Sequence, residues 1–399
     1  MSVRKRAWTS AGGEAKDAWV VDYVDQHGRR RLKTFSKKKD ADAFHATAKV
    51  EIREGVHTAH SASTTLAHAA DLWIKTCEGR NLERSTVESY RQHVKFHIRP
   101  FLGAVKLSQL SAPLVREFED RLQRGDPAPG ETEGSARSPA MIRKIITSLG
   151  AIVADAQERG LVARNVVRDL RSRRPKGSER RADRRQKRKL KVGVDIPTPQ
   201  EIKAIVAHLE GRWRPILLTA IFSGLRSSEL RGLRWHDVNL KKGELHVRQR
   251  VDQWGEFGAP KSESGERIVP LPPILVNTLR EWKLACPKGE FDLVFPTGRG
   301  TPENHANVIN RGLQPAQVAA GVVDKRGAAK YTGLHALRHF YASWCINRRA
   351  DGGLELPLKV VQERMGHSSI QMTADRYGHL FPRADDGSEL AAAEQALLG

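Results

Sequence analysis

Six polar residues in the second half of the chain have side chains suited to chemistry on a phosphodiester. They are Arg226, Lys261, His335, Arg338, His367 and Tyr377. The guanidinium groups of the two arginines match the geometry of a phosphate and stay charged, and a lysine and two histidines can transfer protons. A tyrosine phenol in this company is a candidate covalent nucleophile. The set predicts phosphodiester cleavage with neither a cofactor nor a metal ion.

A metal-dependent nuclease is the alternative function. His335 and His339 are four residues apart, a spacing that would place two metal ligands on one face of a helix. Position 336 is an alanine, where a zinc-binding H-E-x-x-H motif would have glutamate. The fixed charge of Arg338 would also oppose a cation. We therefore expect His339 and His379 to serve packing or supporting contacts.

The stretch that carries the six residues predicts one catalytic domain over residues 197–387. Helical spacing of apolar residues covers 201–209 and 215–222, apolar and polar residues alternate over 244–249, and a second extended run covers 267–271. We expect the two extended runs to form a hairpin with Lys261 near its tip. A loop in that position would be mobile enough to close on a bound substrate.

Residues 64–170 carry only helical patterns, which predict an all-α bundle. Amphipathic stretches cover 66–75, 85–98, 113–124 and 139–159. Pro100 and Gly160 are expected to end two of these helices. Four aromatic residues on the apolar stripes are expected to pack in the core: Trp73, Tyr90, Phe96 and Phe118.

The first 60 residues predict a small, basic α+β domain. Extended runs over 19–24 and 29–35, separated by a turn at 26–28, indicate a hairpin. Ser36 is a candidate N-cap for a helix that should end at Gly55. Four apolar residues recur in that helix at helical spacing: Ala41, Phe44, Ala48 and Ile52.

The charge of the chain favours a polyanionic partner. Its 399 residues suffice for two or three domains and carry a formal charge of +22, from 68 Lys and Arg against 46 Asp and Glu. Twelve of the basic residues lie between Arg171 and Lys191, beside two acidic residues and almost no apolar ones. We interpret residues 171–196 as a basic linker. The expected partner is a nucleic acid.

Neither a membrane nor an oxidising compartment is indicated. No run approaches the roughly 18 apolar residues of a spanning helix, and the N-terminus lacks an apolar signal core. The three cysteines, Cys77, Cys286 and Cys345, include no C-x-x-C pair, so that neither a disulfide framework nor a zinc site is expected. A cytoplasmic location fits these features.

Four local motifs resemble those of the tyrosine recombinases, and most closely the integrases of phages and integrative elements. They are Ser223–Leu230 around Arg226, Pro260–Ser262 ahead of Arg267–Leu271, the H-x-x-R box in His335–His339, and Gly366-His367 followed by Tyr377. Each motif is weak alone, but all of them occur in the order and spacing of the family. Residues 81–90 are similar to the start of the family's core-binding domain.

This resemblance implies a multidomain fold. Residues 1–60 would form a small α+β arm-type DNA-binding domain, and 64–170 an all-α, SAM-like core-binding bundle. Residues 197–387 would form a mainly α catalytic domain with a small antiparallel β-sheet. The implied partner is double-stranded DNA, bound at arm and core sites, and the resemblance also allows an accessory DNA-bending or excision factor.

The resemblance also implies a role for each cationic residue on the phosphate. Arg226 and Arg338 would clamp it, and the loss of either should nearly silence the reaction, because a preorganised donor contributes about 3–4 kcal/mol. Glu229 would support Arg226. His367 would donate a hydrogen bond to the phosphate.

Tyr377 has the family's setting for the nucleophile. It would attack phosphorus and leave a 3′-phosphotyrosyl link, while Lys261 protonates the departing 5′ oxygen and His335 assists proton transfer. Of the other tyrosines in this domain, Tyr341 is expected in the core, whereas Tyr331 is expected either to pack or to contact DNA.

The final residues, 388–399, predict a short amphipathic helix with Leu390, Leu397 and Leu398 on its apolar side. In the family such a tail docks on a neighbouring protomer, so that the expected assembly is a homotetramer on two synapsed duplexes. Two other functions stay open from sequence: a type IB topoisomerase, which shares the tyrosine chemistry, and a non-catalytic DNA-binding regulator.

Overall fold

The computed structural model describes residues 2–9, 14–25, 28–53, 57, 63–130, 132–172, 189–381 and 387–399. The chain divides into two compact units, residues 1–176 and 177–399. The predicted turn residues 26 and 27, the helix end at Gly55 and most of the basic linker (173–188) lie outside the described residues. Within the described ranges, no helix is long and apolar enough to cross a membrane.

The first unit begins with three antiparallel strands in the order β1 (Ser2–Thr9), β2 (Ala15–Val24) and β3 (Arg30–Phe35). The predicted hairpin is β2–β3, in which Trp19 is opposite Phe35. One face of the sheet packs against the helix Lys38–Arg53 around a small core of Val21, Tyr23 and Ala41. The predicted hairpin and helix of a small α+β fold are therefore confirmed, and β1 adds a third strand to the sheet.

The N-cap of this helix lies one residue later than predicted. The carbonyl of Lys37 accepts the first helical hydrogen bond, from the Ala41 amide at 3.3 Å, so that Lys37 and not Ser36 occupies the cap position. Ala41 and Ala48 are fully buried, as the helical spacing predicted.

The rest of the first unit is helical in the described residues, as predicted. Its helices are Leu66–Gly79, Arg84–His93, Arg99–Leu102, Ala112–Arg124, Pro139–Glu158 and Val166–Ser172. Pro100 does not end a helix, because a π-helical turn over Val94–Ile98 precedes it and the backbone continues to Leu102. In that turn the Arg99 amide donates to the Val94 carbonyl, and the wider turn accommodates the proline.

The π-helical turn also changes which side chains face the core. Trp73 and Phe118 are buried, and Tyr90 is half-buried against Trp73. Phe96, by contrast, is 56% exposed, so the prediction that it packs in the core was wrong. Because a π-helical turn contains an additional residue, Val94 and Ile98 turn inward and Phe96 turns outward.

The second unit combines many helices with two small sheets. Its helices are Pro199–Ala207, Trp213–Ser223, Ser227–Arg231, Pro273–Ala285, His305–Asn307, Gln314–Ala319, His335–Ile346, Leu358–Met365, Ile370–Tyr377 and Gly387–Leu398. Its strands are β4 (Val238–Asn239), β5 (Glu244–Val247), β6 (Arg250–Val251), β7 (Phe257–Gly258) and β8 (Arg267–Pro270). All strand pairs are antiparallel, in the orders β4-β5-β8 and β6-β7.

Lys261 does not lie at the tip of a simple hairpin. Strands β5 and β8 do pair, but the short hairpin β6–β7 is inserted between them. Its turn is formed by Asp252, whose carboxylate accepts hydrogen bonds from the amides of Trp254 and Glu256. Lys261 therefore lies on the return path to β8, three residues beyond Gly258.

Two helices carry most of the candidate site. The clamp helix, His335–Ile346, places His335, Arg338 and His339 along one face, because residues three and four apart are neighbours on a helix. The tyrosine helix, Ile370–Tyr377, starts at Ser369, whose hydroxyl accepts the Met372 amide at 3.2 Å. Tyr377 is its last residue.

Candidate active site

Arg226 is held at the start of the helix Ser227–Arg231. Its backbone amide donates to Glu229 Oε2 at 2.9 Å and its Nη1 donates to Glu229 Oε1 at 2.7 Å. Nη2 donates to the carbonyl of Gly366 at 2.8 Å. The predicted support of Arg226 by Glu229 is thus confirmed as a contact, and the side chain keeps 32% of its surface exposed.

Glu229 is shared with a second arginine, Arg267 of β8. Arg267 Nη2 donates to Glu229 Oε2 at 2.9 Å, and both side chains are buried. Burial favours the neutral acid, but the charges and hydrogen bonds of Arg267 and Arg226 outweigh it and lower the pKa of Glu229. Arg267 also donates to the carbonyls of Gly265 and Arg364, both at 2.8 Å.

Arg338 lies deeper than Arg226 and is 2% exposed. Its Nη1 donates to the carbonyl of Gly224 and its Nη2 to the carbonyl of Met365. Burial, and then the charge of Arg226, lower the pKa of Arg338 to about 9, so that it remains a cation at neutral pH. Both predicted clamps are therefore fixed to the turn formed by Met365 and Gly366, immediately before His367.

Two glycines make this arrangement sterically feasible. Gly224 has a φ of +61°, and a Cβ atom there would lie 2.3 Å from the Tyr341 ring. Gly366 has a φ of +60°, and a Cβ atom there would lie 2.8 Å from Arg267 Nη1. Both positions need the left-handed conformation and the missing side chain of glycine.

Tyr377 is almost completely buried, with 1% of its surface exposed. Its hydroxyl oxygen lies 2.6 Å from Nδ1 of His339. Its ring stacks on that of His367, with ring centroids 6.2 Å apart and planes 7° apart. Nδ1 of His367 in turn lies 3.0 Å from the Thr373 hydroxyl.

The two remaining predicted residues differ in placement. His335 precedes His339 by one turn of the clamp helix, and the two ring centroids are 4.5 Å apart. Lys261 is exposed, and in the described part of the chain no hydrogen bond or ion pair joins it to another residue. The structure therefore brings five of the six predicted residues together around the Gly366 turn and leaves Lys261 outside the cluster.

Two segments of the chain match protein-family models. Residues 197–383 match "Phage integrase family", and residues 65–123 match "Phage integrase, N-terminal SAM-like domain". A tyrosine recombinase XerC-like protein of Caldanaerobacter subterraneus subsp. tengcongensis is 25% identical over 95% of this chain and 96% of its own length. The chain is a tyrosine recombinase of the phage-integrase type. It is an enzyme of site-specific recombination.

Another relative agrees with this assignment, and two solved structures share the fold. A putative prophage phiRv2 integrase of Mycobacterium tuberculosis is 25% identical to the recombinase over 94% of this chain and 91% of its own length. The Tn1549 transposon integrase in complex with a circular intermediate DNA has the same fold, with a TM-score of 0.59, 19% identity and coverage of 84% of this chain and 100% of that one. A lambda integrase tetramer bound to a Holliday junction gives a TM-score of 0.54, 17% identity and coverage of 91% and 95%.

Sequence reasoning missed two residues that shape the site of the recombinase. Arg267 was noted only as part of an extended run, although it lies two residues before Val269 and shares the inward face of β8 with it. An arginine at an inward position of a strand must find a buried partner, and this was the available signal. His339 was expected to make a supporting contact, but it lies on the Tyr377 hydroxyl.

Two tyrosines and one histidine have structural contacts. Tyr341 is buried, as predicted. Tyr331 packs in the core and its hydroxyl donates to Glu201 Oε2 at 2.7 Å, which resolves the two alternatives in favour of packing. His379 Nε2 lies 2.8 Å from the Leu190 carbonyl, which fits its expected supporting role.

The side chains around the Gly366 turn carry several positive charges. Burial, and then the charges of Arg338 and Arg226, lower the pKa of His367 to about 3. Desolvation and the charges of Arg338, Arg376 and Arg226 also lower the pKa of His335, although that side chain keeps an exposed surface. The imidazoles stay neutral because burial and the neighbouring arginine charges both disfavour the imidazolium form. Among the described residues, no group of three or more His, Cys, Asp or Glu is arranged to hold a metal ion.

Proposed function

We propose that this recombinase cuts and rejoins DNA through a covalent 3′-phosphotyrosyl link at Tyr377. One observation carries the proposal: the ring of Tyr377 stacks on His367, and two guanidinium groups are fixed to the turn immediately before His367. In the proposed step the phenol oxygen bonds to phosphorus and the bond from phosphorus to the 5′ oxygen breaks. Attack by a 5′ hydroxyl from a partner duplex reverses the step, and strands are exchanged.

The contacts of the two arginines support their role as phosphate clamps. An arginine has five N–H donors, and the carbonyl and carboxylate contacts orient each guanidinium without using all of them. Arg226 keeps a third of its surface exposed and can receive a non-bridging oxygen. Burial and the neighbouring arginine charges lower the pKa values of His335 and His367, and an anion that enters the site would offset those charges.

The remaining roles follow from placement and chemistry. Lys261 is exposed on the path between β7 and β8, so that it can move onto bound DNA and protonate the leaving 5′ oxygen. His335 lies at the exposed start of the clamp helix and assists proton transfer. His367, oriented by Thr373, donates a hydrogen bond from its other ring nitrogen to the phosphate.

The proposed partner is double-stranded DNA, held by three domains of which 1–60 binds arm sites and 64–170 binds the core site. The sheet face opposite the Lys38–Arg53 helix carries four basic residues, Arg4, Arg6, Lys16 and Arg30, which supports a DNA contact there. The proposed active form is a homotetramer. Leu390, Leu397 and Leu398 of the terminal helix are 60–84% exposed and supply the apolar face for docking on a neighbour.

The test is covalent trapping of the protein on DNA. The purified chain and its Tyr377→Phe variant are incubated with DNA that flanks the gene, and adducts stable to SDS are mapped by peptide sequencing. Tyr341→Phe is the matched control, because Tyr341 is another buried tyrosine of the same unit and its ring lies against Gly224, whose carbonyl binds Arg338. We expect an adduct at Tyr377 in the unmodified chain and in Tyr341→Phe, and none in Tyr377→Phe.

Two outcomes would contradict the proposal. An adduct that survives in Tyr377→Phe would remove Tyr377 as the nucleophile. Specific, salt-sensitive DNA binding without any adduct, on a substrate that carries the mapped attachment site, would favour the regulator. A topoisomerase is distinguished by product, since it would relax supercoiled DNA without joining two different duplexes.

A further inference from the structure

The hydroxyl of Tyr377 faces a histidine outside the six predicted residues. Tyr377 Oη and His339 Nδ1 lie 2.6 Å apart, and both side chains are buried. The other imidazole beside the tyrosine, His367, stacks on the phenol ring and directs its Nδ1 to Thr373. Within the described residues, His339 is therefore the group placed to exchange a proton with this hydroxyl.

The protonation states of the two side chains make Tyr377 the proton donor and His339 the acceptor. Burial raises the pKa of Tyr377 to about 12, against the opposing charges of Arg338 and Arg376, so that the phenol keeps its proton at neutral pH. Burial and four positively charged or protonatable neighbours lower the pKa of His339 to about 3: His335, Arg376, Arg338 and His367. The imidazole is thus neutral and has a lone pair to offer.

A bound phosphate changes this balance in the direction that catalysis needs. Its negative charge would offset the arginines that hold the pKa of His339 down, so that the imidazole becomes a stronger base when DNA is present. A phenol with a pKa near 12 is a weak nucleophile and must lose its proton during attack. A neutral acceptor at hydrogen-bond distance meets that requirement.

We propose that His339 is the general base that removes the proton of Tyr377 during attack on phosphorus. The inference rests on the proposed function, in which Tyr377 is the nucleophile. The O–H bond of Tyr377 breaks as N–H forms at His339 Nδ1, the bond from Oη to phosphorus forms, and the bond from phosphorus to the 5′ oxygen breaks. Lys261 supplies the proton for that oxygen. In the joining step His339 returns its proton to the phenol.

The clamp helix also offers the proton a path away from the buried pair. His335 lies one turn before His339, with ring centroids 4.5 Å apart, and His335 reaches the surface. One face of the clamp helix therefore holds the proposed phosphate clamp Arg338, the base His339, and His335, which connects the base to solvent.

The test distinguishes two roles of His339: accepting a hydrogen bond from the Tyr377 hydroxyl, and removing its proton. In His339→Asn the amide oxygen replaces Nδ1 as a hydrogen-bond acceptor but cannot be protonated at neutral pH. His379→Asn is the matched control, because His379 is close to Tyr377 in sequence but contacts the Leu190 carbonyl. The rate of adduct formation is measured with the full chain from pH 6 to pH 10. Ordinary DNA is compared with DNA carrying a 5′-bridging phosphorothiolate, whose sulfur leaving group needs no proton.

We expect His339→Asn to slow adduct formation at pH 7 by about 100-fold or more, the usual contribution of a general base. The phosphorothiolate should not restore the rate, because the leaving group is not the defect. Rising pH should restore it, since hydroxide can then take the proton of the phenol. His379→Asn should behave like the unmodified chain.

Three results would overturn the inference. His339→Asn could react at the normal rate at pH 7, or be restored by the phosphorothiolate, or stay slow at high pH although its melting temperature is normal.

If the variant does not fold, the unmodified chain with ¹⁵N-labelled histidine is bound to DNA and vanadate. His339 should then appear as an imidazolium in the NMR spectrum, and a neutral ring would contradict the proposal. Absence of any adduct in the unmodified chain would instead reject Tyr377 as the nucleophile.

Discussion

The carboxylate of Glu229 should make a large contribution to the stability of the catalytic unit. It is 2% exposed and accepts hydrogen bonds from two guanidiniums, those of Arg226 and the buried Arg267. Glu229→Gln keeps the shape of the side chain but leaves Arg267 as a buried cation without a counter-charge. Breaking a buried ion pair in this way costs about 3–5 kcal/mol. We expect the lower end, about 3 kcal/mol, because the amide oxygen can still accept one hydrogen bond.

The effect is large enough to measure by thermal unfolding of the full chain. For a unit of this size, 3 kcal/mol corresponds to a fall in melting temperature of about 6–12 °C. The matched control is Glu363→Gln, which removes a carboxylate 3.3 Å from Lys359 in a pair whose side chains are 63% and 58% exposed. An exposed pair of this kind contributes at most about 0.5 kcal/mol.

The same substitution should change the dependence of stability on pH. The folded protein lowers the pKa of Glu229, so that the stabilisation is complete above the unfolded value of about 4.5 and is lost as pH falls through the lower folded value. The difference between the unmodified chain and Glu229→Gln should therefore be constant at pH 6–8 and shrink in acid. Equal melting temperatures for Glu229→Gln and Glu363→Gln at pH 7 would refute the idea that this carboxylate holds the two arginines.

Four further outcomes follow from the site. Gly366→Ala should destabilise the protein by about 1–3 kcal/mol more than Gly352→Ala in denaturant titrations, because both residues have positive φ but only the Cβ at 366 meets a buried guanidinium. Arg338→Lys should reduce adduct formation about 100- to 1000-fold, since an ammonium cannot replace the two-pronged clamp. Lys261→Ala should leave the melting temperature unchanged yet slow cleavage, and the phosphorothiolate substrate should restore the rate. Deletion of 388–399 should weaken synapsis in gel-shift assays while sparing cleavage, and unchanged recombination would remove the docking role of the tail.

Residue types and spacing were sufficient to predict the longer helices of the first unit, because these depend on local order along the chain. The spacing of His335 and His339 indicated one face of a helix, and both residues lie on the clamp helix. The error at Phe96 arose where a π-helical turn broke the regular period on which that reasoning depends. The misplacement of Lys261 had a similar origin, since strands of two residues carry no detectable alternation.

The features of the site that the sequence could not predict depend on contacts between distant parts of the chain. Gly366 was predicted as part of a motif, but its need for glycine depends on Arg267, which lies on a strand that precedes it by almost one hundred residues. Arg267 also joins three parts of the site. It binds the Glu229 carboxylate, which orients Arg226, and it donates to the carbonyls of Gly265 and Arg364. Gly265 ends the turn that follows Lys261, and Arg364 lies near the end of the helix before His367. A displacement of residues 259–266 around Lys261 on binding DNA would therefore act on Arg267, which also binds the carboxylate that holds Arg226, the proposed phosphate clamp. This shared arginine gives a physical reason why movement of residues 259–266 and ordering of Arg226 should occur together.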